Sequence, residues 1–296
     1  MKKVLIKSSA EAEDIICIFP LLHVLKEKYK ADEINIIIES DYKFLLEGLP
    51  FESRCWDLPA DKKSYLGIHH WAYNLHDIFN IDLSIDLEDS LKSSFINLCF
   101  NPKVRLGSRK GIRYFINNYK LRKDFEINKL MYGLDILGEF LEDDFSILKV
   151  GHKFENTEIL EYPYVVLYLD ELENDWALWV DILDQFDEQS FVFWTNKDKS
   201  SLDDLYSKLS KRNSYIVKDN SNLKDLGLLL ENSKGLVTNQ TWAAQYANYL
   251  NIDSVLINEA KLKEISFFKG TSLEFDPSKE SNFDEMIKKI QAHLSI

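Results

Sequence analysis

The feature that most constrains this chain is a strand-to-helix alternation that runs through the sequence twice. Lys3 to Lys7 is a short β-branched-rich strand, and Asp14 to Tyr29 carries apolar residues at Ile15, Ile18, Phe19, Leu22, Val24 and Leu25, close to helical spacing. Ile34 to Ile38 reads as a strand buried on both faces. Asp82 to Leu87 is a further strand that alternates polar with apolar, and Ser90 to Phe100 follows as a helix. A second block opens near residue 162. Its strands are Tyr164 to Leu169, Phe191 to Trp194, Tyr215 to Val217, Gly235 to Thr238 and Ser254 to Ile257. Between them lie helices at Trp176 to Phe186, Leu202 to Leu209, Leu223 to Glu231 and Thr241 to Leu250. Alternation of this kind without internal repeats predicts doubly wound parallel sheets, one in each of two Rossmann-like domains. Apolar periodicity lapses from Val150 to Glu161, where Gly151, Asn156 and Pro163 cluster, so the domains are expected at 1–155 and 156–296, with a cleft between them. A closing helix, Phe283 to Leu294, can pack on either one.

Composition narrows the class. A chain of 296 residues with 45% apolar content can bury two ordinary cores. Its longest apolar runs, such as Ile15 to Pro20 and Leu226 to Leu230, fall far short of the roughly 20 residues a bilayer span needs. The opening Met-Lys-Lys leads directly into the first strand, without the apolar core of a signal peptide, and a cytoplasmic location is expected. Cys17, Cys55 and Cys99 are scattered and show no C-x-x-C spacing, which predicts reduced thiols and no zinc. His69, His70 and His76 have no Glu or Cys partners at ligand spacing, so neither a metal nor another cofactor is expected.

A net charge of −13 argues against nucleic-acid binding, which needs surplus Lys and Arg at phosphates. Residues 1–150 hold 21 Lys and Arg against 24 Asp and Glu, so most of the acidic surplus lies in the second half. Within the first half, Lys103, Arg105, Arg109, Lys110, Arg113, Lys120, Arg122, Lys123 and Lys129 face only Asp124 and Glu126. That stretch is either a solvated charged face or a surface for an anionic partner. No G-x-G-x-x-G follows the first strand, which argues against a dinucleotide-dependent oxidoreductase.

In open α/β sheets, ligands sit beyond the carboxyl ends of strands, so the loops there carry the chemistry. The first runs Lys7-Ser8-Ser9-Ala10-Glu11-Ala12-Glu13-Asp14, with Pro20 six residues after Asp14. Another is Asp82-Leu83-Ser84-Ile85-Asp86-Leu87-Glu88-Asp89-Ser90-Leu91-Lys92-Ser93, and a third is Val237-Thr238-Asn239-Gln240-Thr241-Trp242-Ala243-Ala244-Gln245. In order and register these resemble the ADP-heptose:lipopolysaccharide heptosyltransferases, whose patterns are a Ser-rich loop ending Gly-Asp, D-L-V-I-D-L-Q-G-S-L-R-S, and V-T-N-D-T-G-x-x-H. The resemblance covers positions 3 to 257. It implies two Rossmann-like domains of the GT-B type, the first on the acceptor side and the second on the nucleotide-sugar side. It also implies that Asp14 activates the acceptor hydroxyl.

Several functional positions depart from the family pattern. Trp242 stands where the family has Gly, Gln240 where it has Asp, Gln245 where it has His, and Glu13 where it has the first-loop Gly. Asn174, before Asp175-Trp176, stands where a Lys pairs with donor phosphate. A charged acceptor and a titratable donor have thus become neutral amides. An indole is expected to crowd the helix N-terminus at which a pyrophosphate would sit. The donor-binding set is then Asn174, Asn239, Gln240, Thr241, Trp242 and Gln245, and the acceptor-side set is Ser8, Ser9, Arg109, Lys110 and Arg113. Asp14 is either the base or a cap and charge on its helix, and Thr241 is either a phosphate ligand or an N-cap. Trp176, Trp179 and Trp194 are core or cleft-lining aromatics.

Two functions follow. One is transfer of a sugar from a nucleotide donor to a surface glycan or an anionic lipid acceptor. The other is a catalytically silent relative that binds a protein partner or serves in assembly.

Overall fold

The computed structural model describes residues 1–8, 11–38, 40–46, 53–58, 64–75, 80–88, 90–108, 110–119, 132–145, 163–169, 176–184, 190–195, 205, 207–209, 215–219, 223–257, 272–275 and 283–294. The chain divides into two compact units, Met1–Val150 and Gly151–Ile296. The expected linker and most of the expected helix Leu202 to Leu209 lie outside the described residues.

The first unit is built on a five-stranded parallel sheet. Its strands are β1 (Lys3–Lys7), β2 (Glu33–Ile38), β3 (Ser53–Asp57), β4 (Leu83–Asp86) and β5 (Val104–Leu106), in the order β3-β2-β1-β4-β5. Val4, Leu5, Ile6, Ile34, Ile36, Ile37 and Ile38 are fully buried, as parallel strands covered on both faces require. The chain leaves β1 to build β2 on one side and returns to build β4 on the other. The crevice between β1 and β4 is therefore the switch point of this sheet.

The single helix expected from Asp14 to Tyr29 is instead two, α1 (Ala12–Cys17) and α2 (Phe19–Glu27). Pro20 lies in the first turn of α2, where its missing N–H costs nothing; in the interior of one long helix it would remove a hydrogen bond and clash with the preceding turn. Next come α3 (Tyr65–Asn74), α4 (Leu91–Cys99), the short α5 (Arg113–Ile116) and α6 (Tyr132–Leu141). Helix α4 starts at a capping box in which Ser90 and Ser93 exchange hydrogen bonds.

The polar residues of β4 do not mark a solvent face. Ser84 and Asp86 are wholly buried, because α4 covers that side of the strand. The helix turns Ser93, Ser94 and Asn97 inward, and all three are fully buried. A polar stripe on a strand has met a polar stripe on a helix.

The second unit holds a six-stranded parallel sheet. It contains β6 (Tyr164–Tyr168), β7 (Ser190–Thr195), β8 (Tyr215–Asp219), β9 (Leu236–Thr238), β10 (Ser254–Ile257) and β11 (Ser272–Phe275), in the order β11-β10-β9-β6-β7-β8. Its switch point lies between β6 and β9. The helices are α7 (Trp176–Asp184), α8 (Leu223–Glu231), α9 (Thr241–Tyr249) and α10 (Phe283–Leu294). Helix α10 settles on this unit, since Met286, Ile287, Ile290 and Leu294 share a core with Val237, Val255, Trp179 and Ile182.

Candidate functional site

Each sheet presents one crevice, at the carboxyl ends of β1 and β4 in the first unit and of β6 and β9 in the second. In the first unit, Ser8 directly follows β1. It is fully buried; its N–H donates to the Ile37 carbonyl at 3.1 Å, and its hydroxyl oxygen has no hydrogen-bond partner among the described residues. Ser9 lies outside the described residues. Asp14 occupies the third position of α1, half-buried, beside Glu13. It does not cap the helix, because Glu11 is the capping residue and makes no side-chain cap bond. The negative charge of Asp14 lies in the first turn of α1, where the amino end of a helix stabilises it.

Behind that loop is a charged cluster which the resemblance alone did not single out. Lys7 closes β1 with only 3% of its side chain exposed, and its Nζ lies 2.5 Å from the Glu88 carboxylate. The same ammonium donates to the Ser8 carbonyl. The Ser90 hydroxyl donates to the other Glu88 oxygen at 2.9 Å. Asp86, register partner of Lys7 across the sheet, accepts from the Ser94 hydroxyl at 2.6 Å and from the Glu88 N–H at 3.2 Å. Burial pushes the Asp86 carboxyl up to about 6, opposed by the Ser94 and Ser93 hydroxyls and by Lys7, with Glu88 adding to the rise. Gly107 passes so close that a Cβ there would lie 3.0 Å from the Asp86 Cβ. A Lys ending an apolar strand and an Asp inside a buried one were the available sequence signals, and both read as ordinary strand ends.

The basic stretch is partly consumed by the fold. Lys103 pairs with Asp82 at 2.5 Å. Arg105 donates from Nε to the Ile116 carbonyl at 2.7 Å and from a terminal nitrogen to Pro102 at 3.3 Å, so it braces its own loop. Lys110 is exposed, and Arg113 donates from Nε to the Lys110 carbonyl. Arg109, Lys120, Arg122, Lys123 and Lys129 lie outside the described residues. On α3, His69 and His70 are exposed, and the His70 ring pairs with Asn74.

In the second unit, Thr238 closes β9 and its hydroxyl accepts from the Gln240 N–H at 3.0 Å. Gln240 is the N-cap of α9, without a side-chain cap bond, and Thr241 is the first helical residue. Of the two readings of Thr241, the N-cap falls instead on Gln240, one residue before it, and the Thr238 hydroxyl organises the turn. Trp242 is 5% exposed, its indole packed against the Tyr168 ring with centroids 4.9 Å apart. Tyr168 is the last residue of β6 and the register partner of Thr238, so the indole lies at the carboxyl edge of the switch point. Asn239 is half-buried and Gln245 is 5% exposed. Asn174 lies outside the described residues, and Trp179 is a core residue.

No family model matches the chain, and no characterised protein matches it in sequence. Solved structures do. A glycosyl transferase family 9 protein from Veillonella parvula superposes with a TM-score of 0.72 at 15% identity, over 99% of this chain and 97% of that one. The chain has the family 9 glycosyltransferase fold. Two other family 9 structures agree. E. coli ADP-heptose lps heptosyltransferase II scores 0.70 at 14% identity, over 100% of this chain and 99% of its own. The E. coli heptosyltransferase WaaC with ADP scores 0.69 at 12% identity, over 99% and 100%. The parallel sheets of both units are those of the family 9 fold, as the motif order predicts. Among the described residues no helix is long and apolar enough to cross a membrane.

Proposed function

We propose that this chain is a heptosyltransferase-like glycosyltransferase that moves a sugar from a nucleotide donor to a surface glycan or lipid acceptor. In this reading the first unit receives the acceptor and the second the nucleotide. The observation that carries it is the position of Asp14: in the first turn of α1, just past the carboxyl end of β1, at the switch point of its sheet. Asp14 takes the proton of the acceptor hydroxyl as that oxygen attacks the anomeric carbon, and the nucleoside diphosphate departs with the electron pair of the broken bond. The N–H groups at the start of α9 face the leaving diphosphate, and Thr241 offers it a hydroxyl. Gln240, Gln245 and Asn174 supply neutral amides where the family pattern has charge, so the donor site is reduced in charge complementarity.

The packing of Trp242 on Tyr168 favours a second reading, a catalytically silent relative retained for binding or assembly. Calorimetry against ADP-, UDP-, GDP- and CMP-linked sugars separates the two. The enzyme reading expects one of them to bind and turn over, with Asp14→Asn abolishing turnover while binding persists. Absence of binding by all four at millimolar concentration would leave the silent relative.

A further inference from the structure

Helix α5 and the turn before it present apolar side chains to solvent at a place where the chain is basic. Phe115 is 82% exposed and Ile112 60%. Neither contributes to a core, and the turn is held by other means. Arg105 donates to the Ile116 carbonyl, the Asn117 N–H bonds back to the Arg113 carbonyl at 2.9 Å, and the Asn117 side-chain amide bonds to the Ser108 carbonyl at 2.9 Å. Gly111 makes the turn at φ +62°, a conformation that costs other residues more. The tip is therefore fixed by hydrogen bonds to its backbone carbonyls while Ile112 and Phe115 remain in water. Helix α4, which packs beside α5, also leaves Leu91 and Leu98 partly exposed, at 43% and 38%.

Charge identifies the occupant. The whole chain carries −13, yet between Ser90 and Lys123 it has no Asp or Glu. Lys110 is exposed beside Ile112, and Arg113 lies between Ile112 and Phe115. Apolar side chains that project from a basic surface match the interface of an anionic bilayer: the rings and aliphatic groups enter the acyl boundary while the cations remain at headgroup level. A protein partner of ordinary composition would not require a 34-residue acid-free interval, and a nucleic acid would not require Phe115 and Ile112.

We propose that the tip from Lys110 to Phe115 is a docking surface for an anionic lipid bilayer. It stands independently of sugar transfer, because vesicle binding is measured without donor or acceptor. The experiment is flotation of the full chain with phosphatidylcholine vesicles, alone or with about 30 mol% phosphatidylglycerol. Binding is expected to the anionic vesicles, to weaken as salt screens the cations, and to be slight with phosphatidylcholine alone. Phe115→Ser with Ile112→Ser is expected to reduce partitioning roughly tenfold or more, and Lys110→Glu several-fold, with unchanged far-ultraviolet circular dichroism because all three side chains are exposed. No flotation with anionic vesicles, or flotation indifferent to these substitutions, overturns the proposal. So does a wild type that elutes as a dimer and becomes monomeric on Phe115→Ser, which would assign the surface to a second copy of the chain.

Discussion

The indole of Trp242 meets the ring of Tyr168 at an interplanar angle of 63°, closing the carboxyl edge of β6 from the first turn of α9. This pair joins a strand end to a helix start. Trp242→Gly removes a buried side chain from the first turn of a helix. It should lower stability by about 3–5 kcal/mol, with nearly 1 kcal/mol more from glycine in the helix. Turnover should not rise above the wild-type level, because Gln240 and Gln245 remain. Adding Gln240→Asp and Gln245→His should improve nucleotide binding before it improves catalysis. Urea midpoints and nucleotide-sugar calorimetry on the single and triple variants check this, and tight ADP-sugar binding by Trp242→Gly alone would contradict it.

Asp86 makes stability depend on pH in a definite direction. Its carboxyl is raised in the folded state to about 6, so the native protein holds a proton that the unfolded chain has already released. Stability from this proton is fully present below the unfolded value near 3.8 and is lost as pH rises through about 6, amounting to about 3 kcal/mol. Against Asp86→Asn, which cannot titrate, the wild type should lose ground over that window. Parallel pH profiles for the two proteins would refute the assignment. Lys7→Met should extend the wild-type decline to higher pH, since Lys7 is the cation that holds the Asp86 value down.

Ser90 serves twice. It accepts from the Ser93 N–H at 2.9 Å to cap α4, and it donates to Glu88 at 2.9 Å to steady the partner of Lys7. Ser90→Ala should cost about 1–2 kcal/mol, at the upper end for a capping serine because both bonds are lost. Ser90→Thr keeps the hydroxyl and should recover most of it. The denaturant midpoints of the three proteins decide the point.

Gly235 enters β9 at φ +152°, and a Cβ there would lie 2.7 Å from the Asp253 carbonyl oxygen and 2.5 Å from Leu294. The carbonyl belongs to the backbone and cannot step aside as a side chain can. Gly235→Ala should destabilise the second unit by about 1–3 kcal/mol. Gly111→Ala, at φ +62° and with nothing within 4 Å of its Cβ, should cost less, on both conformational and steric grounds. Equal losses at the two sites would show that steric contact plays no part.

The sequence by itself determined the alternation of strands and helices. Helices Leu223–Glu231 and Phe283–Leu294 and strand Ser254–Ile257 begin and end where the pattern puts them, because apolar period and local capping signals set those boundaries. It also set the order of motifs, and with that the two parallel sheets. It passed over β3, whose Ser-Arg-Cys-Trp-Asp carries little apolar pattern and is a strand by virtue of pairing with β2. Tertiary structure alone decided which polar residues are inside. Ser84, Asp86, Ser94 and Asn97 look like solvent faces in one dimension, and become an interior only when α4 closes over β4. Lys7 is far in sequence from Asp86 and Glu88, and only the pairing of β1 with β4 brings its charge to theirs. Burial and charge pairing are properties of neighbours in space, and local sequence periodicity does not encode them.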